Sequence, residues 1–309
     1  MKKILAFALI MFSQQALAEK VTLMLDWFVN PDHGPIIVAK QQGLFKAQGL
    51  DIEITEPADP STPPKLVAAG KFDLAVTYQP QLIRDVVEDL PLSRVSTLIA
   101  TPLNTVMVLK DKGYNSLADL EGKKIGYAFD GGLVDATIGT MLNKNGASID
   151  NVELINVGWS LSASLATGKV DAIYGGYRNF EMHQLSMEGF EGKAFFVEEE
   201  GIPPYDELVV VANSKKIDKE MLKKFNRALE LATQYTVNHP DEAWDLFKSY
   251  GDGNKLDTEL NRRAWKDTLV RFALRPQAAD LGRYDNYAQF LFDNGVIKTL
   301  PKATDYIVQ

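Results

Sequence analysis

Ala68-Ala-Gly-Lys-Phe-Asp-Leu-Ala-Val-Thr-Tyr78 and Ala166-Thr-Gly-Lys-Val-Asp-Ala-Ile-Tyr-Gly-Gly176 are two versions of one pattern. Each stops a helix at a glycine, turns through Lys-x-Asp and enters a short apolar run suited to a buried strand. Gly-Lys-x-Asp alone is a common helix stop, so its surroundings carry the argument. Gly70 and Gly168 lie 98 positions apart, and the strand starts at Val21 and Lys123 lie 102 apart. Between these markers the predicted elements run in the same order. The first copy reads strand 21–25, helix 35–47, strand 51–55, helix 64–69 and strand 72–78. The second reads strand 123–128, helix 133–144, strand 152–157, helix 160–167 and strand 170–175. Two registers and one element order point to an internal duplication of about 100 residues.

Two βαβαβ halves predict an α/β fold of two lobes with mostly parallel sheets. Ligands in such sheets sit beyond the carboxyl ends of the strands, here the cleft between the lobes. Two apolar runs, 95–109 and 208–212, fall outside the repeat and read as strands entered after crossings between lobes. The crossings are assigned to Thr101-Pro102-Leu103-Asn104 and Pro203-Pro204-Tyr205. Lobe 1 is expected to comprise 19–102 and 206–309, and lobe 2 to comprise 103–205. Helices near 218–238, 240–250, 257–271 and 284–294 are expected to pack on lobe 1.

Residues 1–18 read as a secretory signal peptide, with Lys2-Lys3, an apolar stretch from Ile4 to Phe12 and an Ala-x-Ala site ending at Ala18. The apolar stretch is too short to span a bilayer. Cleavage after Ala18 takes the formal charge from −8 to −10. That acidity argues against nucleic acid and anionic membranes as partners. The chain has no cysteine, which excludes disulfides, thiol nucleophiles, thiolate metal sites and a lipidated N-terminal Cys. A periplasmic monomer with no cofactor is expected.

The loop Asp26-Trp27-Phe28-Val29-Asn30-Pro31-Asp32-His33-Gly34 follows the first strand. It places a carboxylate, an indole, an amide and an imidazole at a strand's carboxyl end. A turn with one core aromatic accounts for Phe28, Pro31 and Gly34 but less well for Asp26-Trp27, which suit a flat ligand with N–H donors. The stretch from Tyr174 to His183 follows the last strand of the second copy. With a helix starting near Tyr177, Tyr177 and Glu181 share one face; a glycine-rich strand end before a solvated helix is the alternative. Tyr78 ends the matching strand of the first copy. His33, His183 and His239 are scattered, without metal-ligand spacing, and His33 fits a loop hydrogen-bonding role. Asp130-Gly131-Gly132 offers backbone N–H groups to an anion, but Asp130 and Asp135 flank it and argue against a phosphorylated ligand.

Asp26-Trp27-x-x-Asn30-x-x-His33-Gly34, the run AKQQGLF at 39–45, Gly70-Lys71-x-Asp73-Leu74 and Tyr177-x-Asn179-x-Glu181 together resemble one family. It comprises the ABC-transporter binding proteins for thiamine pyrimidine precursors, related in fold to the fungal thiamine pyrimidine synthases. The resemblance covers about residues 20–212. It implies a type II periplasmic-binding-protein fold, a formylamino- or hydroxymethyl-pyrimidine ligand and an ABC permease as partner. Carried over, Trp27 and Tyr177 would hold the ring and Glu181 would accept from its amino group; Asp26, Asn30, His33 and Asn179 of the same motifs, and Tyr78 from its position at the strand end, complete the expected ligand-binding set. The synthases of the family are cytosolic and carry a cysteine-rich iron motif, which this chain lacks. A flavin, sulfonate or nitrate is a further ligand possibility. The last two need positive charge, whereas these loops offer aromatics and carboxylates.

Overall fold

The computed structural model describes residues 18–128 and 131–308. The expected signal peptide, up to residue 17, and Asp130 lie outside them. Among the described residues, ten strands form two five-stranded sheets. The strands are β1 (Glu19–Met24), β2 (Leu50–Thr55), β3 (Leu74–Thr77), β4 (Leu92–Ile99), β5 (Asn104–Leu109), β6 (Lys124–Tyr127), β7 (Glu153–Asn156), β8 (Ala172–Tyr177), β9 (Gly192–Phe196) and β10 (Leu208–Asn213). The helices are α1 (Gly34–Gln41), α2 (Leu44–Ala47), α3 (Pro63–Ala68), α4 (Gln79–Val87), α5 (Gly131–Lys144), α6 (Leu161–Ala166), α7 (Glu181–Met187), α8 (Lys219–Asn238), α9 (Pro240–Lys248), α10 (Glu259–Thr268), α11 (Leu281–Asp293) and α12 (Ala303–Tyr306).

The sheet orders are β2-β1-β3-β10-β4 and β7-β6-β8-β5-β9, so the two halves share one plan. In each sheet three strands of one copy run parallel. The strand that has just crossed from the other sheet then inserts antiparallel, β10 between β3 and β4 and β5 between β8 and β9. These inserted strands are buried along their whole length, as an interior strand covered on both faces must be. The apolar stretch 95–109 is therefore two strands: β4 closes the first sheet, the chain crosses over 100–103, and β5 enters the second. Two strands with a Pro102 between them read as one apolar run because both are continuously buried.

The predicted helix over 35–47 is also divided. Gly43, at φ 74°, ends the run and restarts it as α2, a left-handed conformation that glycine adopts without strain. The C-terminal helices follow their apolar spacing. Asp218 caps α8 by accepting from the backbone of Glu220 and Met221, and Met221, Leu222, Phe225, Leu229 and Ala232 form its buried stripe. Helices α8 and α9 pack on α1. Helices α10 and α11 also pack on first-lobe elements, α10 on the turn after β1 and α11 on α4, and both reach the second lobe as well. Helix α10 also touches α7, and Asn294 just after α11 meets Thr140 of α5. Polar side chains at positions 267, 268 and 294 make these cross-lobe contacts, and apolar periodicity cannot register them.

The crossings are joined by buried carboxylates. Glu207 accepts from the backbone N–H groups of Leu103 (2.6 Å) and Asn104 (3.0 Å), tying the outgoing crossing to the returning one. Its neighbour Asp206 accepts from Thr97 (2.9 Å), Arg283 (2.6 Å) and Tyr284 (3.1 Å).

Candidate functional site

The loop after β1 is shaped by its own residues. The side chain of Asn30 accepts from the backbone of Asp32 at 2.8 Å, and Pro31 opens a short 3-10 turn over Pro31–His33. The Nδ1 of His33 accepts from the Asn30 N–H at 3.2 Å. That leaves Nε2 to carry the proton, which it donates to Asp26 at 2.9 Å. The other oxygen of Asp26 accepts from the Tyr78 hydroxyl at 2.9 Å. His33 is wholly buried, so it supports Asp26 from behind and does not face the cleft.

On the opposite side, β8 runs through Tyr177, and α7 begins only at Glu181. The two residues thus do not share a helical face; the turn between them folds Glu181 back so that it accepts from the Tyr177 N–H at 2.6 Å. The glycine pair 175–176 prolongs the strand where a helix start was expected. Burial pushes the Glu181 carboxyl up to about 7, against the lowering effect of that N–H. Asn179 is buried away from the cleft; its amide donates to Asp32 (2.6 Å) and to Thr268 of α10 (2.8 Å). One node thereby joins the β1 loop, the second lobe and a C-terminal helix.

Between these surfaces lies a chamber lined among others by Asp26, Trp27, Asn30, Tyr78, Tyr177 and Glu181. Six of the eight expected residues meet there, while His33 and Asn179 stand behind the wall. Asp32, Leu161 and Phe180 also line it and were not anticipated. Beyond Tyr78 and Tyr177, which line both, a second chamber is bounded by Asn104, Tyr174, Tyr205, Glu207 and Tyr287. The Tyr177 hydroxyl reaches Glu207 at 3.3 Å. Burial, followed by the charge of Asp26 for Tyr78 and of Glu207 for Tyr177, holds both phenols well above their ordinary range, so both remain donors.

The rim of the first chamber is closed by rings from both lobes. Trp159 lies 4.0 Å from Trp27 and 4.5 Å from Phe28, centroid to centroid. Trp159 follows β7 through Gly158 and thus stands at the carboxyl end of a second-lobe strand, the position at which a ring merits a functional reading. Glu207 was overlooked because the crossing that carries it reads as a connector. The three histidines have separate partners: Asp26 for His33, Asp267 for His183 at 2.7 Å and the Tyr235 ring for His239.

The profile of the NMT1/THI5-like family matches residues 30–243. The chain belongs to this family. A Haemophilus influenzae relative named for thiamine biosynthesis is 52% identical, the match covering 94% of this chain and 92% of that one. The formylaminopyrimidine-binding protein of Halalkalibacterium halodurans is 37% identical, covering 76% and 71%. A more distant relative, the 4-amino-5-hydroxymethyl-2-methylpyrimidine phosphate synthase of Legionella pneumophila, is 26% identical over 90% of both chains. Among solved structures, the alkanesulfonate-binding protein of Xanthomonas axonopodis superposes with a TM-score of 0.74 at 13% identity, covering 95% of this chain and 99% of that one. The fold is thus that of periplasmic binding proteins, as the duplication and the family resemblance implied.

Proposed function

We propose that this protein is the exported substrate-binding component of an ABC importer, and that it captures a thiamine pyrimidine precursor without chemical turnover and delivers it to a permease. The observation that carries this reading is the first chamber, to which each lobe contributes a ring and a carboxylate: Trp27 with Asp26 from one, Tyr177 with Glu181 from the other. A ligand touching both walls favours the closed arrangement by its differential contacts. Its relationship to a formylaminopyrimidine-binding protein supports the same ligand class. Among the described residues no helix is long and apolar enough to cross a membrane.

Stacking a ring between Trp27 and Tyr177 adds about 0.5–1.5 kcal/mol to its area burial, and a hydrogen bond to a charged acceptor adds about 1.5–3 kcal/mol. The second contribution sets selectivity, because a ligand without the amino group leaves a buried acceptor unpaired. Calorimetric titration with 4-amino-5-hydroxymethyl-2-methylpyrimidine and its des-amino analogue tests the site. Trp27→Ala weakens both ligands. Glu181→Gln weakens the amino compound by roughly one to two orders of magnitude and narrows the gap between the two. Wild-type affinity of Glu181→Gln for both compounds would remove Glu181 from the site, and product formation from pyridoxal phosphate and iron would establish an enzyme instead.

A further inference from the structure

The second chamber has a chemistry of its own. Glu207 is 1% exposed. One carboxylate oxygen is held by Leu103 N–H, Asn104 N–H and the Tyr205 hydroxyl (3.1 Å), while the other has only the long contact to Tyr177. Among the described residues it has no ion-pair partner, and no Lys, Arg or His lines the chamber. Burial pushes its carboxyl up to about 7, as expected of an anion without a countercharge. A separate observation points the same way. The amide oxygen of Asn104, which lines the chamber and is 8% exposed, is buried without a donor. Five tyrosines, Tyr78, Tyr174, Tyr177, Tyr205 and Tyr287, supply ring surface around these two acceptors.

We propose that this chamber is a second subsite that takes a protonated amine carried on a substituent of the bound ring, with Glu207 and Asn104 as its acceptors and the tyrosine faces as its walls. A cation supplies the missing countercharge, and an ammonium against aromatic faces and a buried carboxylate is a favourable combination. A phosphate ester meets a buried carboxylate and no cation, so it is disfavoured on charge. The inference rests on the ring occupying the first chamber, since only a ring held there brings its substituent to Tyr78 and Tyr177, the residues that line both chambers.

The probes are 4-amino-5-aminomethyl-2-methylpyrimidine, the 5-hydroxymethyl compound and the phosphate ester of the latter, titrated calorimetrically against the full chain. The aminomethyl probe binds at least tenfold more tightly than the hydroxymethyl probe, and the phosphate ester binds more weakly than either. In Glu207→Gln the ratio of aminomethyl to hydroxymethyl affinity falls towards one. Asn104→Ala, which leaves the crossing carboxylate in place, lowers the same ratio and carries the test if Glu207→Gln does not fold. Equal affinities for the two probes in the wild type, or an unchanged ratio in Asn104→Ala, overturn the subsite while leaving the first chamber standing. Absence of binding by both overturns the two together.

Discussion

The two lobes share a sheet plan but not a cover. In the first, β4 and β10 are buried from end to end, and Phe225 of α8 stacks on Phe45 beneath the sheet. In the second, the edge strand β7 is half-buried or exposed along its length, and β9 is mostly half-buried. The duplication supplied two equal sheets, and only the first carries α8 and α9 as additional cover. The first sheet thus has the fuller cover, while the cleft draws on both lobes. The functional segments are not equivalent either: Asp26 and Trp27 follow β1, whereas Tyr177 ends β8, the counterpart of β3, and Glu181 follows it.

The sharpest test of this asymmetry is a pair of truncations. Phe225→Ala costs about 3–5 kcal/mol, the usual range for a buried ring. Ile155→Ala, on the half-buried β7, costs about 1–2 kcal/mol, because less of its surface leaves water on folding. Urea unfolding of both variants measures this, and equal losses would refute the unequal covers.

Much of this architecture could be read directly from the residues. The Gly70/Gly168 register located both copies of the parallel core, because helix stops and apolar strands leave local marks. The antiparallel insertion of β5 and β10 left none, since it depends on pairing between residues 64 to 138 positions apart. The loop after β1 was legible because a Trp beside an Asp at a strand end is unusual. His33 was read as a hydrogen-bonding loop residue, and its buried bond to Asp26 has that character. Trp159 and Glu207 escaped notice: one stands singly in a short turn, and the other looks like any acid beside a proline-rich crossing. What they contact depends on the closure of the two lobes, which no local pattern encodes.

A second test contrasts carboxylates at the crossing and in the second lobe. For Glu207, burial raises the folded value from 4.5 to about 7. Its contribution to stability is therefore complete below about 4.5 and is lost as pH rises through about 7. Glu207→Gln, uncharged throughout, gains about 3 kcal/mol relative to wild type between pH 4.5 and 8. Glu198 has the opposite sign: partial burial pulls it upward, but the Arg178 fork at 2.6 and 2.7 Å outweighs that and leaves it lowered. Its contribution is present above its unfolded value of 4.5 and is lost as pH falls through the lowered folded value, so Glu198→Gln is most destabilising at neutral pH and least in acid. Denaturation midpoints across pH 4–8 read both slopes, and slopes of the same sign would break the contrast.

The smallest expected difference concerns helix starts. Asp218→Ala removes two capping bonds from the 20-residue α8 and costs about 1 kcal/mol. Ser160, before α6 in the second lobe, makes no side-chain capping bond, and Ser160→Ala stays within about 0.5 kcal/mol. Thermal unfolding resolves the two, and matching shifts would show that both helix starts rely on their caps.

The contact of Trp27 and Phe28 with Trp159 has a thermodynamic consequence. These rings come from different lobes, so a closure of the proposed kind withdraws aromatic surface from water and carries a negative heat-capacity change. Near room temperature that gain is largely entropic, and it weakens on cooling. The rim therefore holds a captured ring less firmly in the cold than in the warm, and the protein's retention of its cargo acquires a temperature dependence from three side chains that line its entrance.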